Sequence, residues 1–287
     1  MRQGAVVSES VIVHLVDGTY ELFRHFYGLS RIKSGRVGRF SAVAGVLNTV
    51  LQMVADGATH IGVATDHVIE SFRNDIWDGY KTGEGIEPAL LAQFEPLEDA
   101  LRAMGVAVWA MVDLEADDAL ASAAEIASRD ARVQKICIWT PDKDLAQCVR
   151  EDRIVQVDRR SNTIRNAAGV RSKFGVDPDF IPDYLALVGD ASDGYPGIRG
   201  IGAKGAQSLL SRYGKIEDFP PEVLGEHRAQ ALLFKNLATL RTDAMLYANV
   251  DELRWLGPTA GFGPVCDRLG IPDVYARATA IRLNAKP

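Results

Sequence analysis

VIVHLVD, residues 11–17, is a run of β-branched and aliphatic residues that closes on an acid. Short apolar runs bounded by turn residues read as buried strands. The pattern recurs in HIGVATD at 60–66 and KICIWTPD at 135–142, so three such runs lead into Asp17, Asp66 and Asp142. Between them lie stretches with apolar residues near helical spacing: AVAGVLNTVLQMVA at 42–55, PALLAQFEPLEDALRAM at 88–104 and DDALASAAEIASR at 117–129. This alternation predicts an α/β domain over residues 1–177, a mostly parallel sheet with helices on both faces. Ligands of such sheets bind beyond the carboxyl ends of the strands, where these acids fall. From 178 to 287 the pattern turns helical with Gly and Pro punctuation, as in PDFIPDYLALVGD, GAKGAQSLLSRYG and HRAQALLFKNLATLRTDAML, and predicts a second, helical domain.

The hydrophobic share of 47% over 287 residues is ample for a core. No apolar run reaches the ~18 residues of a membrane span, and MRQGAVVSES lacks the pattern of a secretory signal. A soluble cytoplasmic protein is expected. Cys137, Cys148 and Cys266 show no C-x-x-C spacing and read as reduced packing residues. The net charge of −6 argues against a nucleic-acid partner until the nine clustered acids are set aside, which leaves +3. The local field decides.

Those nine are Asp17, Asp66, Glu115, Asp117, Asp118, Asp142, Asp144, Asp190 and Asp193. Singly, each has an ordinary explanation: Glu115-Ala-Asp117-Asp118 opens a helix, where carboxylates cap free N–H groups, and Thr-Pro-Asp142-Lys-Asp144 has turn composition. Together, so many like charges at strand ends would repel one another unless cations lay among them. Oxygen ligands without His or Cys select hard ions, Mg²⁺ or Mn²⁺. VGDASDGYPGIRGIGAKGA at 188–206 joins Asp190 and Asp193 to a Gly-rich turn, Gly197, Gly200 and Gly202, followed by Lys204. Glycines there let a backbone approach a phosphate closely, although such turns between helices are common.

VDGTYELFR, SFRNDIWDGYK, LEADD, TPDKDLAQ and GDASDGYPGIRGIGAKGA resemble, in order, the motifs of the 5′-nuclease family, which includes the 5′→3′ exonuclease domain of bacterial DNA polymerase I and the flap endonucleases. The resemblance covers about residues 11–247. It implies a PIN-like core followed by a helix-three-turn-helix domain of helix–hairpin–helix type, and two-metal hydrolysis of DNA phosphodiesters in replication or repair. It assigns Asp17, Asp66, Glu115 and Asp117 to one ion and Asp142, Asp144, Asp190 and Asp193 to the other, with Asp118 close by. K⁺ is a further candidate at the helix–hairpin–helix. It places Arg24, Arg73, Tyr80 and Lys81 as phosphate-contacting and base-stacking residues at the foot of a helical arch. Expected partners are DNA with 5′ ends, flaps, nicks or gaps, and RNA primers, bound by a monomer. The family's Tyr-Lys-x-x-Arg reads Tyr80-Lys81-Thr-Gly-Glu84 here, so an acid one helical turn from Lys81 is expected to pair with it or to repel phosphate. No polymerase or proofreading segment follows, and a stand-alone nuclease is expected. Two rival readings are a phosphatase based on Val16-Asp17-Gly18-Thr19, whose nucleophilic Asp would fall on Leu15, and a non-cutting clamp for branched DNA.

Overall fold

The computed structural model describes residues 10–30 and 38–284; all but one residue of the N-terminal stretch read above for a signal lies outside them. Six strands, β1 (Val11–Asp17), β2 (His60–Asp66), β3 (Ala107–Met111), β4 (Val133–Trp139), β5 (Ile154–Asp158) and β6 (Thr163–Arg165), form one sheet in the order β3-β2-β1-β4-β5-β6. The first five are parallel, and β6 returns antiparallel on β5. The chain builds outward from β1 to β3 and then crosses to β4 on the other side of β1. That reversal opens a crevice at the carboxyl ends of β1 and β4, and Asp17 stands at its edge.

Helices α1 (Gly18–Ser30), α2 (Ser41–Ala55), α3 (Phe72–Ile76), α4 (Pro88–Leu91), α5 (Phe94–Ala103) and α6 (Ala116–Ser128) connect the first four strands. Strand alternation sorts β1 between two cores. Val13 and Leu15 pack with the alanine-rich face of α6, whereas Val16 packs with Leu22, α2 and α5. The stretch 88–104 is not the continuous helix its spacing predicts. Pro96 has no N–H for the carbonyl of Ala92 and its ring would strike it, so the helix stops after Leu91 and restarts at Phe94 with the proline in its first turn.

Beyond β6 no strand occurs among the described residues. Helices α7 (Ala167–Phe174), α8 (Ile181–Val188), α9 (Ala203–Tyr213), α10 (Pro221–Leu224) and α11 (Arg228–Ala238) form a second core around Ile181, Leu185, Ile198, Leu210 and Phe234. The tail corrects the expectation that 178–287 is one unit. Trp255 N–H donates to the Thr59 carbonyl at 2.8 Å, and α12 (Phe262–Leu269) and α13 (Pro272–Asn284) return to the first domain, burying Phe262, Cys266 and Ala278 with α2 and α5. Apolar positions at helical spacing fit either core, so sequence alone could not assign them. The three cysteines are buried and free. Among the described residues, no helix is long and apolar enough to cross a membrane.

Candidate metal centre

β1 delivers Asp17, β2 delivers Asp66, the start of α6 delivers Glu115 and Asp117, and the turn after β4 delivers Asp142 and Asp144. Asp190 and Asp193 come from the loop that leaves α8. Ligand oxygens of Asp144, Asp190 and Asp193 all lie within 4.8 Å of one another, and all three residues are buried. Asp144 Oδ1 is buried without a hydrogen-bond partner. Unpaired buried carboxylate oxygens are costly, and a hard cation is the group that fits this oxygen-only set.

Charge neighbours link the remaining acids to this trio. Burial raises the Asp17 carboxyl from the usual 3.8 to about 7, opposed by the Tyr20 N–H and reinforced by Asp66 and Asp142. Asp117 is pushed well up by burial and then by Asp142, Asp17 and Asp144, and Asp144 by burial and then by Asp142, Asp193 and Asp190. Glu115 goes the other way. Burial would raise it, but Lys81 and Arg73 hold it below the usual range. Lys81 Nζ stands 2.8 Å from Glu115 Oε2 and 3.0 Å from Asp193 Oδ1, so one ammonium bridges the two domains' acids.

Four expectations are corrected. Arg73 does not face a phosphate: it is 1% exposed, and its guanidinium is saturated by Asp118, Glu115 and the carbonyls of Leu237 and Thr239. Asp118 is fully buried and both of its oxygens are engaged by Arg73, so its carboxylate is committed to that pair and not to a metal. Tyr80 is 4% exposed and packs in the helical core, its hydroxyl donating to Glu115 Oε2 at 3.3 Å, which leaves no face for a base. Residues 77–87 form no helix, and Gly85 has φ +84°, so Glu84 is not one helical turn from Lys81. Arg24 pairs with Glu21 at 2.5 Å and with none of the nine acids.

Residues 12–175 match the family described as 5'-3' exonuclease, N-terminal resolvase-like domain, and residues 176–260 match 5'-3' exonuclease, C-terminal SAM fold. The chain belongs to the 5′-3′ exonuclease family. It is 34% identical over 259 residues to DNA polymerase I of Pseudomonas aeruginosa, covering 83% of this chain and 28% of the relative. With two Bacillus DNA polymerases I the covered shares are 29% and 32%, so this family member spans under a third of those relatives. It is 32% identical over 208 residues to a 5'-3' exonuclease of Aquifex aeolicus, covering 72% of this chain and 71% of that one. The fold is shared with a bacteriophage T5 flap endonuclease solved with DNA and metal ions, at TM-score 0.65 and 19% identity over 93% of this chain and 99% of that one.

Within this exonuclease-family fold the Gly-rich turn divides by role. Gly197 is buried, at φ +71°, where a Cβ would come within 2.4 Å of Gly189 N, so the protein's own backbone demands this glycine whatever it binds. Gly200 and Gly202 are exposed, and a Cβ on either meets no atom within 4 Å. Lys204 is exposed and pairs with no carboxylate among the described residues. Three supporting side chains escaped the sequence reading: Thr140 Oγ1 donates to Asp17 Oδ2 at 2.9 Å, Ser71 Oγ to Glu115 Oε1 at 2.6 Å, and Lys143 Nζ lies 2.7 Å from Asp190 Oδ2. Thr140 and Lys143 sit inside the quoted acid motif, yet only the fold reveals which carboxylates they meet.

Proposed function

We propose that this chain is a 5′→3′ exonuclease and structure-specific flap endonuclease, hydrolysing DNA phosphodiesters with two Mg²⁺ or Mn²⁺ ions. The observation that carries the reading is the Asp144–Asp190–Asp193 trio with its unpartnered buried oxygen. Asp142, Asp144, Asp190 and Asp193 would hold one ion, and Asp17, Asp66, Glu115 and Asp117 the other. When bound, such ions lower the pKa of a water for in-line attack and offset charge on the attacking and leaving oxygens. Thr140 and the Tyr20 N–H fix both oxygens of Asp17, and the Ala116 N–H fixes Asp66 at 2.7 Å. Lys81, between Glu115 and Asp193, would be the cation that meets the scissile phosphate. Gly200, Gly202 and Lys204 would track the duplex backbone without reading sequence, with K⁺ a candidate at that turn. A monomer in the cytoplasm, acting in replication or repair on 5′ ends, flaps, nicks, gaps and RNA primers, completes the proposal. Relatives named DNA polymerase I and 5'-3' exonuclease, and a DNA-bound flap endonuclease of the same fold, support it.

The test is cleavage of a 5′-labelled flap duplex with Mg²⁺ or EDTA, by wild type and Asp144→Asn. We expect cutting only with Mg²⁺ and a loss of about 100-fold or more in the variant. Cutting in EDTA, or a variant near wild-type rate, overturns the reading.

A further inference from the structure

The acid centre is assembled from two bodies. Asp17, Asp66, Glu115, Asp117, Asp142 and Asp144 belong to the sheet domain, whereas Asp190 and Asp193 ride on the loop after α8, in the helical body that ends with α11. The distance between the two sets depends on how that body is seated. At the seat a buried guanidinium, that of Arg73, pairs with two buried carboxylates, Asp118 and Glu115. Arg73 Nη1 and Nη2 lie 2.7 and 2.8 Å from the two oxygens of Asp118. Nη1 also donates to Glu115 Oε1 at 3.1 Å, Nε to the Leu237 carbonyl at 2.8 Å and Nη2 to the Thr239 carbonyl at 3.3 Å. Every donor of the fork is used. Asp118 in turn accepts the Glu115 N–H at 3.0 Å and the Arg241 N–H at 2.8 Å.

We propose that Arg73 and Asp118 are positioning residues, a clamp that sets the spacing of the two acid sets by gripping Glu115 on one side and, on the other, residues 237–241, the end of α11 and the stretch that follows it. The inference rests on reading the acids as a metal centre. A buried ion pair is weak evidence for stability, because well-packed apolar residues often serve as well. What this pair adds is geometry. A planar guanidinium can address a carboxylate with two bonds and still direct its remaining donors at Glu115 and two carbonyls, and the single ammonium of lysine cannot. Gln147 braces the same segment independently, donating to the Ala238 carbonyl at 2.9 Å and accepting the Leu240 N–H at 3.1 Å. Loss of the clamp therefore loosens the seat without releasing the body.

The experiment compares Arg73→Lys, Arg73→Met, Asp118→Asn and the double Arg73→Met/Asp118→Asn with wild type. Three readouts are taken: the Mg²⁺ concentration for half-maximal single-turnover flap cleavage, duplex affinity in Ca²⁺, and metal-free hydrogen exchange at the Arg241 amide. Each single change is expected to raise the Mg²⁺ requirement about tenfold or more, as loss of a residue orienting a metal ligand does. The double should stay within about twofold of the worse single change, because both break one unit. Exchange at Arg241 should speed up while duplex affinity holds within about threefold. Lysine at position 73 should not rescue. Weaker duplex binding with an unchanged Mg²⁺ requirement would make Arg73 a phosphate contact after all, and lower thermal stability alone would make the pair merely structural; either result overturns the clamp. Asp118→Asn keeps shape and volume, so the inference stays testable if Arg73→Met does not fold. A wild type that neither binds Mg²⁺ nor cuts defeats the metal-centre reading itself, and is told apart by that control.

Discussion

Raising the pH of the metal-free protein should destabilise it, and Mg²⁺ should offset much of the effect. The Asp17 carboxyl is 6% exposed and moves from 3.8 to about 7 on folding. A folded-state pKa above the unfolded one means that the native protein keeps a proton the unfolded chain has released. Between pH 3.8 and about 7, folding then takes up protons, and stability falls as pH rises through that window. At 1.36 kcal/mol per pH unit, the shift of Asp17 alone corresponds to about 4 kcal/mol of native-state cost, complete above pH 7. Asp117 and Asp144 are displaced in the same direction by burial and by each other's neighbours. A divalent ion binds the deprotonated carboxylates, so its stabilisation, about 2.7 kcal/mol at a hundredfold excess over Kd, should be large at about pH 8 and small at about pH 5.5, where protons compete. Scanning calorimetry at several pH values in EDTA and in excess Mg²⁺ reads this as two curves that diverge with pH. For a domain of this size each kcal/mol moves Tm by about 2–4 °C, so a gap several degrees wider at the alkaline end is expected. Parallel curves would refute the argument, because they would mean that the carboxylates with raised pKa do not share a site with the ion.

Lys81→Met should lower single-turnover flap cleavage by about two orders of magnitude, since it removes the ammonium between Glu115 and Asp193; a rate within a few-fold of wild type counts against that role. Gly202→Val should leave Tm within about 2 °C, because its φ of −91° is ordinary and an added Cβ meets nothing, while weakening duplex binding in Ca²⁺ several-fold; anisotropy showing unchanged affinity removes Gly202 from the interface. Gly197→Ala should lose more than about 1 kcal/mol of stability, given its left-handed φ and a Cβ 2.4 Å from Gly189 N, and a wild-type unfolding curve would contradict this. Glu84→Arg should change flap cleavage less than about twofold at low or high salt, since Glu84 is exposed and outside any helix; a large salt-sensitive gain would restore the arch-charge idea.

The sequence determined the elements that depend on local pattern. β-branched runs such as VIVHLV and the alanine-rich face after Glu115 each favour one secondary structure whatever surrounds them, and an acid after a strand must lie at the sheet's carboxyl edge. That was enough for the sheet with its helices and for the helical segment, and it singled out the three acids, Asp144, Asp190 and Asp193, that the structure gathers; the ordered motifs of the 5′-nuclease family pointed to the family. What sequence could not resolve was which partner each charge would meet. Arg73, Tyr80 and Asp118 have the composition of a site, yet they are buried, because a guanidinium, a phenol and a carboxylate are equally suited to solvent, to ligand or to one another. For Arg73 the choice is made by residues more than 150 positions away, where the carbonyls of Leu237 and Thr239 come down on it. The return of α12 and α13 to the first domain has the same origin. An amphipathic helix specifies that one face must be covered, and only the assembled tertiary structure decides by what.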